Sequence, residues 1–193
     1  MEQWLRLLSQ PFDQFDRDMQ AHIYQSFRKL VYRDLFFITQ DHALTEDAIQ
    51  EAFLKLVAKA SSRRHDGNPA GWARKVARNT ALDMMRRNKK YRHQMNLASV
   101  ERLEAASQEE NVASIVEHRI RVDLLHQAIR ELNPEYRMLL LMHYVEGKSY
   151  RDIAEELRLS VQAVAQRLLR ARKKLLQHFS RKWVDRHESQ NRR

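Results

Sequence analysis

At 193 residues, with 43% hydrophobic content, three Gly and three Pro, the chain has the length for one domain or two small ones, and its composition favours compact helical units over disorder or sheet. It has no cysteine, which excludes disulfides and a cysteine zinc site and fits a reducing cytosol. A formal net charge of +10 calls for a polyanionic partner, nucleic acid or an anionic membrane. No apolar run is long enough to span a bilayer, and MEQWLRLLSQPFDQFD lacks the basic start and apolar core of a secretory signal. The expectation is a soluble cytoplasmic protein without direct membrane insertion.

Charge is unevenly placed along the chain. Residues 1–60 carry a net −2, 61–95 a net +8, 96–127 a net −3 and 128–193 a net +7, so two basic blocks flank an acidic spacer. Near the start, Ile23, Phe27, Leu30, Val31 and Leu35 predict a helix over about 21–37, followed by a break at Thr39 to His42. A second helix is predicted from near Thr45. There Ala48, Ile49, Ala52, Phe53, Leu56 and Val57 form one apolar stripe, and Asp47, Gln50 and Glu51 point away from it. Glu46 and Asp47 also suit a helix N-terminus, so the acidic face has two readings, a stabilised first turn and a functional surface.

Gly67, Asn68, Pro69 and Gly71 mark a loop that carries Arg63, Arg64 and His65. The helix predicted over about 70–90 buries Trp72, Val76, Ala77 and Met84 and exposes Arg74, Lys75, Arg78, Asn79, Arg86 and Arg87. A cationic face beside a basic loop with an aromatic neighbour suits single-strand or groove contacts better than it suits a merely solvated surface. The stretch LASVERLEAASQEENVASIVEHR has few apolar residues and reads as a flexible acidic linker. After it, a helix is predicted from Val122 to Leu132. Asn133 and Pro134 then give an N-cap and first-turn signal for PEYRMLLLMHYVE, with Leu139, Leu140, Met142 and Tyr144 as core and Gly147 as the stop.

From Ser149 to Leu175, SYRDIAEELRLSVQAVAQRLLRARKKL reads as two helices joined by a tight turn. Ile153, Ala154 and Leu157 make one apolar face, Leu159 fills the turn, and Val161, Val164 and Leu168 make the second. Ser149, three residues before Asp152, is a capping-box start, and Ser160 is placed to cap the second helix. Outward on that helix stand Gln162, Gln166, Arg170 and Lys173, with Arg167 and Lys174 beside them. Arg and Lys neutralise phosphates or bond guanine, and Gln pairs with the major-groove edge of adenine. A DNA-reading helix is decorated in this way, and a solvated helical hairpin is the plainer alternative.

Catalytic signals are thin. His65 and Asp66 invite a metal-hydrolase reading with His22, His42 and Asp83 as further ligands, yet no His pair at a four-residue helical interval frames a carboxylate. There is also no glycine-rich phosphate loop and no Ser nucleophile elbow. The expectation is a binding protein, not an enzyme, with no metal, cofactor or small-molecule substrate.

Three stretches in order resemble the extracytoplasmic-function group of bacterial sigma-70 family factors. TEDAIQEAFLKL resembles region 2.2, NPAGWARKVARNTALDMMRR resembles regions 2.3 and 2.4, and AIRELNPEYRMLLLMHYVEGKSYRDIAEELRLSVQAVAQRLLRARKKL resembles region 4. The resemblance implies an all-α initiation factor with region 2 in residues 1–95, a linker over 96–121 and region 4 in 122–193. Its partners would be core RNA polymerase, promoter DNA and an anti-sigma factor. On that likeness Asp47, Gln50 and Glu51 dock on polymerase, and Arg63, Arg64, Arg74, Lys75, Arg78, Asn79, Arg86 and Arg87 capture the −10 element. Asp83 is then a structural anchor. Gln162, Ala163, Gln166, Arg167 and Arg170 would read the −35 element, and Arg172, Lys173 and Lys174 would hold backbone phosphates. The chain departs from the family where Arg158 replaces the usual turn Gly, where AVAQR replaces TVKSR, and where Leu56 and Val57 replace the Trp that closes region 2.2. A self-sufficient helix-turn-helix regulator is the rival reading, but it would need a dimer, and the sequence has no heptad segment and two unlike basic lobes.

Overall fold

The first long helix begins where Asp16 accepts the Met19 amide at 2.7 Å, satisfying an otherwise orphan donor. The computed structural model describes residues 3–8, 10–60, 68–88 and 112–191. Regular structure among them is entirely helical and divides into two units at Asn96 and Leu97.

In the first unit the helices are α1 (Gln3–Leu7), α2 (Arg17–Thr39), α3 (His42–Ala60) and α4 (Pro69–Asn88). Helix α2 buries Ile23, Phe27, Val31 and Leu35 against Ala48, Ile49, Ala52, Phe53 and Leu56 of α3, as their spacing predicts. Full burial of each large side chain contributes roughly 1.5–3 kcal/mol before conformational entropy is set against it. Phe53 is the hub, with ring centroids 5.4 Å from Phe12, 5.2 Å from Tyr24 and 5.6 Å from Phe27. Trp4, Leu5 and Leu8 close the core from the chain start.

Helices α2 and α3 both start about one turn earlier than the sequence expectation, α2 at Arg17 behind its Asp16 cap. Helix α3 starts one turn early because Asp41 caps it: the Asp41 carboxylate accepts the Leu44 amide at 2.9 Å. Thr45 is instead buried, its hydroxyl 2.6 Å from both the Asp41 carbonyl and the Thr39 hydroxyl. Glu46 and Asp47 therefore lie beyond the first turn, and Glu46 is spent on a two-oxygen contact with Arg28 of α2. On α4 the buried line is Ala70, Ala73, Ala77 and Ala81, while Trp72, Val76 and Met84 are only partly buried at its edge.

The second unit contains α5 (Val112–Arg130), α6 (Pro134–Leu140), α7 (Tyr150–Leu157) and α8 (Val161–Asn191). Helix α5 starts ten residues before Val122, inside the stretch expected to be linker; residues 96–111 lie outside those described. Asn133 caps α6 through the Tyr136 amide at 2.8 Å with Pro134 in the first turn, as expected. The expected long helix then breaks register: Leu141–Val145 is a single π turn, after which Gly147 at φ +68° stops the helix. The π turn buries Leu141 and Met142 but swings Tyr144 outward, so Tyr144 is 58% exposed and not a core residue. Buried Arg137 donates to the Arg130 carbonyl at 3.0 Å and the Leu132 carbonyl at 2.6 Å, placing a cation on the free carbonyls at the end of α5.

Helix α8 does not fray after the basic stripe. Its second half lies along α5, where Glu131 receives His178 at 2.7 Å, Arg181 at 2.6 Å and Lys182 at 2.6 Å. Arg121 of α5 also stacks over the Trp183 ring, 5.8 Å from its centroid.

Candidate nucleic-acid interface

The hairpin of α7 and α8 forms for the reasons its sequence states. Ser149 and Asp152 make a reciprocal capping box, and these hydrogen bonds hold the Asp152 carboxyl below its usual range. The turn is a Schellman motif: Leu159 N–H reaches the Ala154 carbonyl at 2.9 Å, and Arg158 N–H reaches that of Glu155 at 3.3 Å. Arg158 occupies the left-handed position at φ 54°, where the fold would prefer glycine. Ser160 then caps α8, accepting the Ala163 amide at 3.1 Å.

Val164, Leu168 and Ala171 lock α8 onto the unit's core. Val161, expected in that face, is 48% exposed because it sits in the first turn, ahead of the helix crossing. Gln162, Gln166, Arg167, Arg170, Arg172, Lys173 and Lys174 are exposed, and Ala163 is half-buried. Gln162, Gln166 and Lys173 fall on one stripe that also contains Leu169, which is 61% exposed. The sequence does not single out Leu169, because it stands directly beside the core residue Leu168. Such a side chain offers an apolar contact of the kind a thymine methyl accepts. Arg172 points to the flank, donating to the Tyr144 hydroxyl at 3.4 Å.

The cationic set of α4 separates into two groups. Lys75, Asn79 and Arg86 share an outward face, with Asp83 among them and 3.4 Å from Arg86. Arg74 turns inward, half-buried and 3.4 Å from Asp34 of α2. Arg78, expected to be exposed, is buried at 1%. Small residues bring α4 close to its neighbours, and Arg78 beside the alanine stripe is covered whole, guanidinium included. Asn68 caps the helix through the Gly71 amide at 2.9 Å. Arg63, Arg64, His65 and Asp66 lie outside the described residues.

On α3, Asp47 and Gln50 are exposed and Glu51 is half-buried. Leu54, 70% exposed, completes that face and was also missed, because it falls between two residues of the core stripe. Glu51 bonds Lys55 at 2.7 Å and receives Arg87 of α4 at 2.9 and 3.1 Å; these contacts, Lys55 foremost, hold its carboxyl below the usual range. The residues expected to meet polymerase and those expected to meet DNA thus touch at Glu51 and Arg87. Among the described residues no group of three His, Asp or Glu side chains is arranged to hold a metal, and no helix is long and apolar enough to cross a membrane.

Comparison with known proteins matches both units. The profile of Sigma-70 region 2 covers residues 23–91 and that of Sigma-70, region 4 covers 123–175, together more than half of the chain. The chain is 28% identical over 160 residues to the ECF RNA polymerase sigma factor SigM of Bacillus subtilis, spanning 82% of this chain and 94% of that protein. It is 32% identical over 149 residues to the probable RNA polymerase sigma factor RfaY of Xanthomonas campestris, spanning 74% of this chain and 36% of the relative. Among solved structures, the sigma factor RpoE of Bartonella quintana, in complex with the anti-sigma factor NepR, shares the fold at a TM-score of 0.60 and 20% identity, over 86% of this chain and 98% of that one.

Proposed function

This chain belongs to the extracytoplasmic-function group of the bacterial sigma-70 family, and we propose that it docks on core RNA polymerase through α3 and grips promoter DNA with two separate basic surfaces. It is a transcription initiation factor and not an enzyme. The observation that carries the proposal is the pairing of a locked, capped α8 bearing an exposed Gln, Arg and Lys stripe with a second cationic helix in the other unit. We place region 2 in residues 1–95, the linker in 96–121 and region 4 in 122–193, and the site of action in the cytoplasm.

In this reading Gln162, Ala163, Gln166, Arg167 and Arg170 read the −35 element, while Arg172, Lys173 and Lys174 bind phosphates. Gln and Arg suit base edges at about 1–3 kcal/mol of discrimination per good bidentate pair, and the outer cations supply salt-sensitive affinity. Arg63, Arg64, Lys75, Asn79, Arg86 and Arg87 hold the −10 element as it opens. Half-buried Arg74 and buried Arg78 stand behind that face and support it. Opening a duplex without nucleotide hydrolysis must be offset by binding the unstacked strand, which a cationic lobe favours. Asp47, Gln50, Glu51 and Leu54 form the docking face. RpoE of Bartonella quintana is held by an anti-sigma factor, and the shared fold supports the same class of regulator for this chain.

The test is binding of the Asp47→Ala, Gln50→Ala double variant to purified core polymerase. Both side chains are exposed, so its thermal unfolding should match the native chain while its affinity falls at least fivefold. Unchanged affinity would remove α3 as the docking surface.

A further inference from the structure

Glu51 belongs to the α3 face with Asp47, Gln50 and Leu54, yet its carboxylate is already engaged by Arg87, a cation of the promoter-facing helix α4. One Arg87 nitrogen donates to both Glu51 oxygens, at 2.9 and 3.1 Å, and the arginine side chain is 62% exposed. A carboxylate in that position cancels much of the charge that a phosphodiester would otherwise meet. Glu51 can release Arg87 without being left alone, because Lys55 keeps its own 2.7 Å bond to the same carboxylate. Arg87 likewise keeps a 3.4 Å bond to the Asp83 carbonyl, so it stays attached to α4 when the pair opens.

We propose that the Glu51–Arg87 pair is a brake that couples the two partners of region 2: polymerase docking draws Glu51 away, and Arg87 is released to DNA. The inference rests on the reading of α3 and α4 given above. By linkage the effect is reciprocal, so DNA bound at Arg87 also leaves Glu51 available to polymerase. An exposed pair is weak, so the coupling is a bias of a few fold, not a lock.

The experiment uses the full chain and a fluorescein-labelled, mixed-sequence single strand of about 20 nucleotides at low salt, followed by anisotropy. Glu51→Gln, which retains a hydrogen-bond acceptor for Lys55, should bind about two- to fourfold tighter than the native chain, and Arg87→Ala should bind more weakly. The gain from Glu51→Gln should vanish in the Arg87→Ala background, and it should shrink when the chain is held on saturating core polymerase. An equal gain in both backgrounds overturns the brake, since it would reflect only lost long-range repulsion. A gain undiminished on polymerase overturns the coupling. If Arg87→Ala binds like the native chain, Arg87 is not a DNA ligand and both the brake and that part of the promoter face fall. In contrast, loss of the brake with Arg87→Ala still weakened leaves the promoter face standing.

Discussion

The second half of α8 meets three of its contacts at one carboxylate, and replacing it has a calculable effect. Glu131 takes Arg181 and Lys182, each at 2.6 Å, and the His178 ring at 2.7 Å, and its side chain is 31% exposed. Partly exposed pairs contribute about 0–1 kcal/mol each, so Glu131→Gln should weaken the attachment of residues 178–186 by roughly 1–2 kcal/mol, with Arg181 and Lys182 left without their shared carboxylate. That corresponds to about 5–30-fold faster amide exchange in this stretch, measured by hydrogen exchange and mass spectrometry. Residues 161–173, locked by Val164, Leu168 and Ala171, should keep their protection. The pH dependence has a definite sign. Burial pushes the Glu131 carboxyl up, but Lys182 and the other cations outweigh it and hold it below its usual range. A depressed carboxyl stabilises above its unfolded pKa and loses that contribution as pH falls through the folded one. Protection of 178–186, corrected for intrinsic exchange, should therefore decline on acidification through the carboxylate range in the native chain and much less in Glu131→Gln. Unchanged exchange in the variant, or an equal rise across the whole of α8, would refute Glu131 as the fastening point.

Other consequences follow from single side chains. Arg158→Gly should stabilise region 4 by about 0.5–1 kcal/mol, as relief of the left-handed strain exceeds the added freedom of the unfolded chain, with thermal unfolding as the measure. Gln40→Gly, at φ 58°, should gain less, because Gln40 gives up a 2.8 Å bond to the Phe37 carbonyl. In the polymerase complex, Gln166→Ala should flatten preference at one −35 position by roughly 1–3 kcal/mol, whereas Lys174→Ala should weaken all sequences and reduce the salt slope by about one. Tyr144→Phe should weaken DNA binding less than Arg172→Ala and add nothing to it in a double-mutant cycle, the outcome expected if the tyrosine acts only by positioning the guanidinium.

Much of the fold is legible because it is local. The Asp152 capping box, the Asn133–Pro134 start, the Gly147 stop and the apolar stripe of α3 each follow from residues a turn or two apart. The left-handed Arg158 was foreshadowed only by the likeness, which puts glycine at that turn. The misses arise where distant groups intervene. Arg78 was expected outside because its neighbours are cationic, but it flanks the alanine stripe through which α4 packs and is buried with it. Tyr144 was expected inside on a 3.6-residue period, and one π turn moves it out. Asp41 rather than Thr45 starts α3 because the buried Thr39–Thr45 hydroxyl pair fixes the α2–α3 corner. Of the interface, the polar positions of α8 and α3 could be named from periodicity. Leu54 and Leu169 could not, because an exposed leucine beside a core stripe looks like more core until the helix crossing is known.

As a sigma factor, this chain confers promoter choice on a polymerase that lacks it. The most direct test is in-vitro transcription with purified core polymerase, the full chain and a library of upstream regions from its host. Transcripts with defined start sites should appear only when the chain is added and should fall with Asp47→Ala, Gln50→Ala. Tight binding to core polymerase without any promoter-directed transcript would contradict that role.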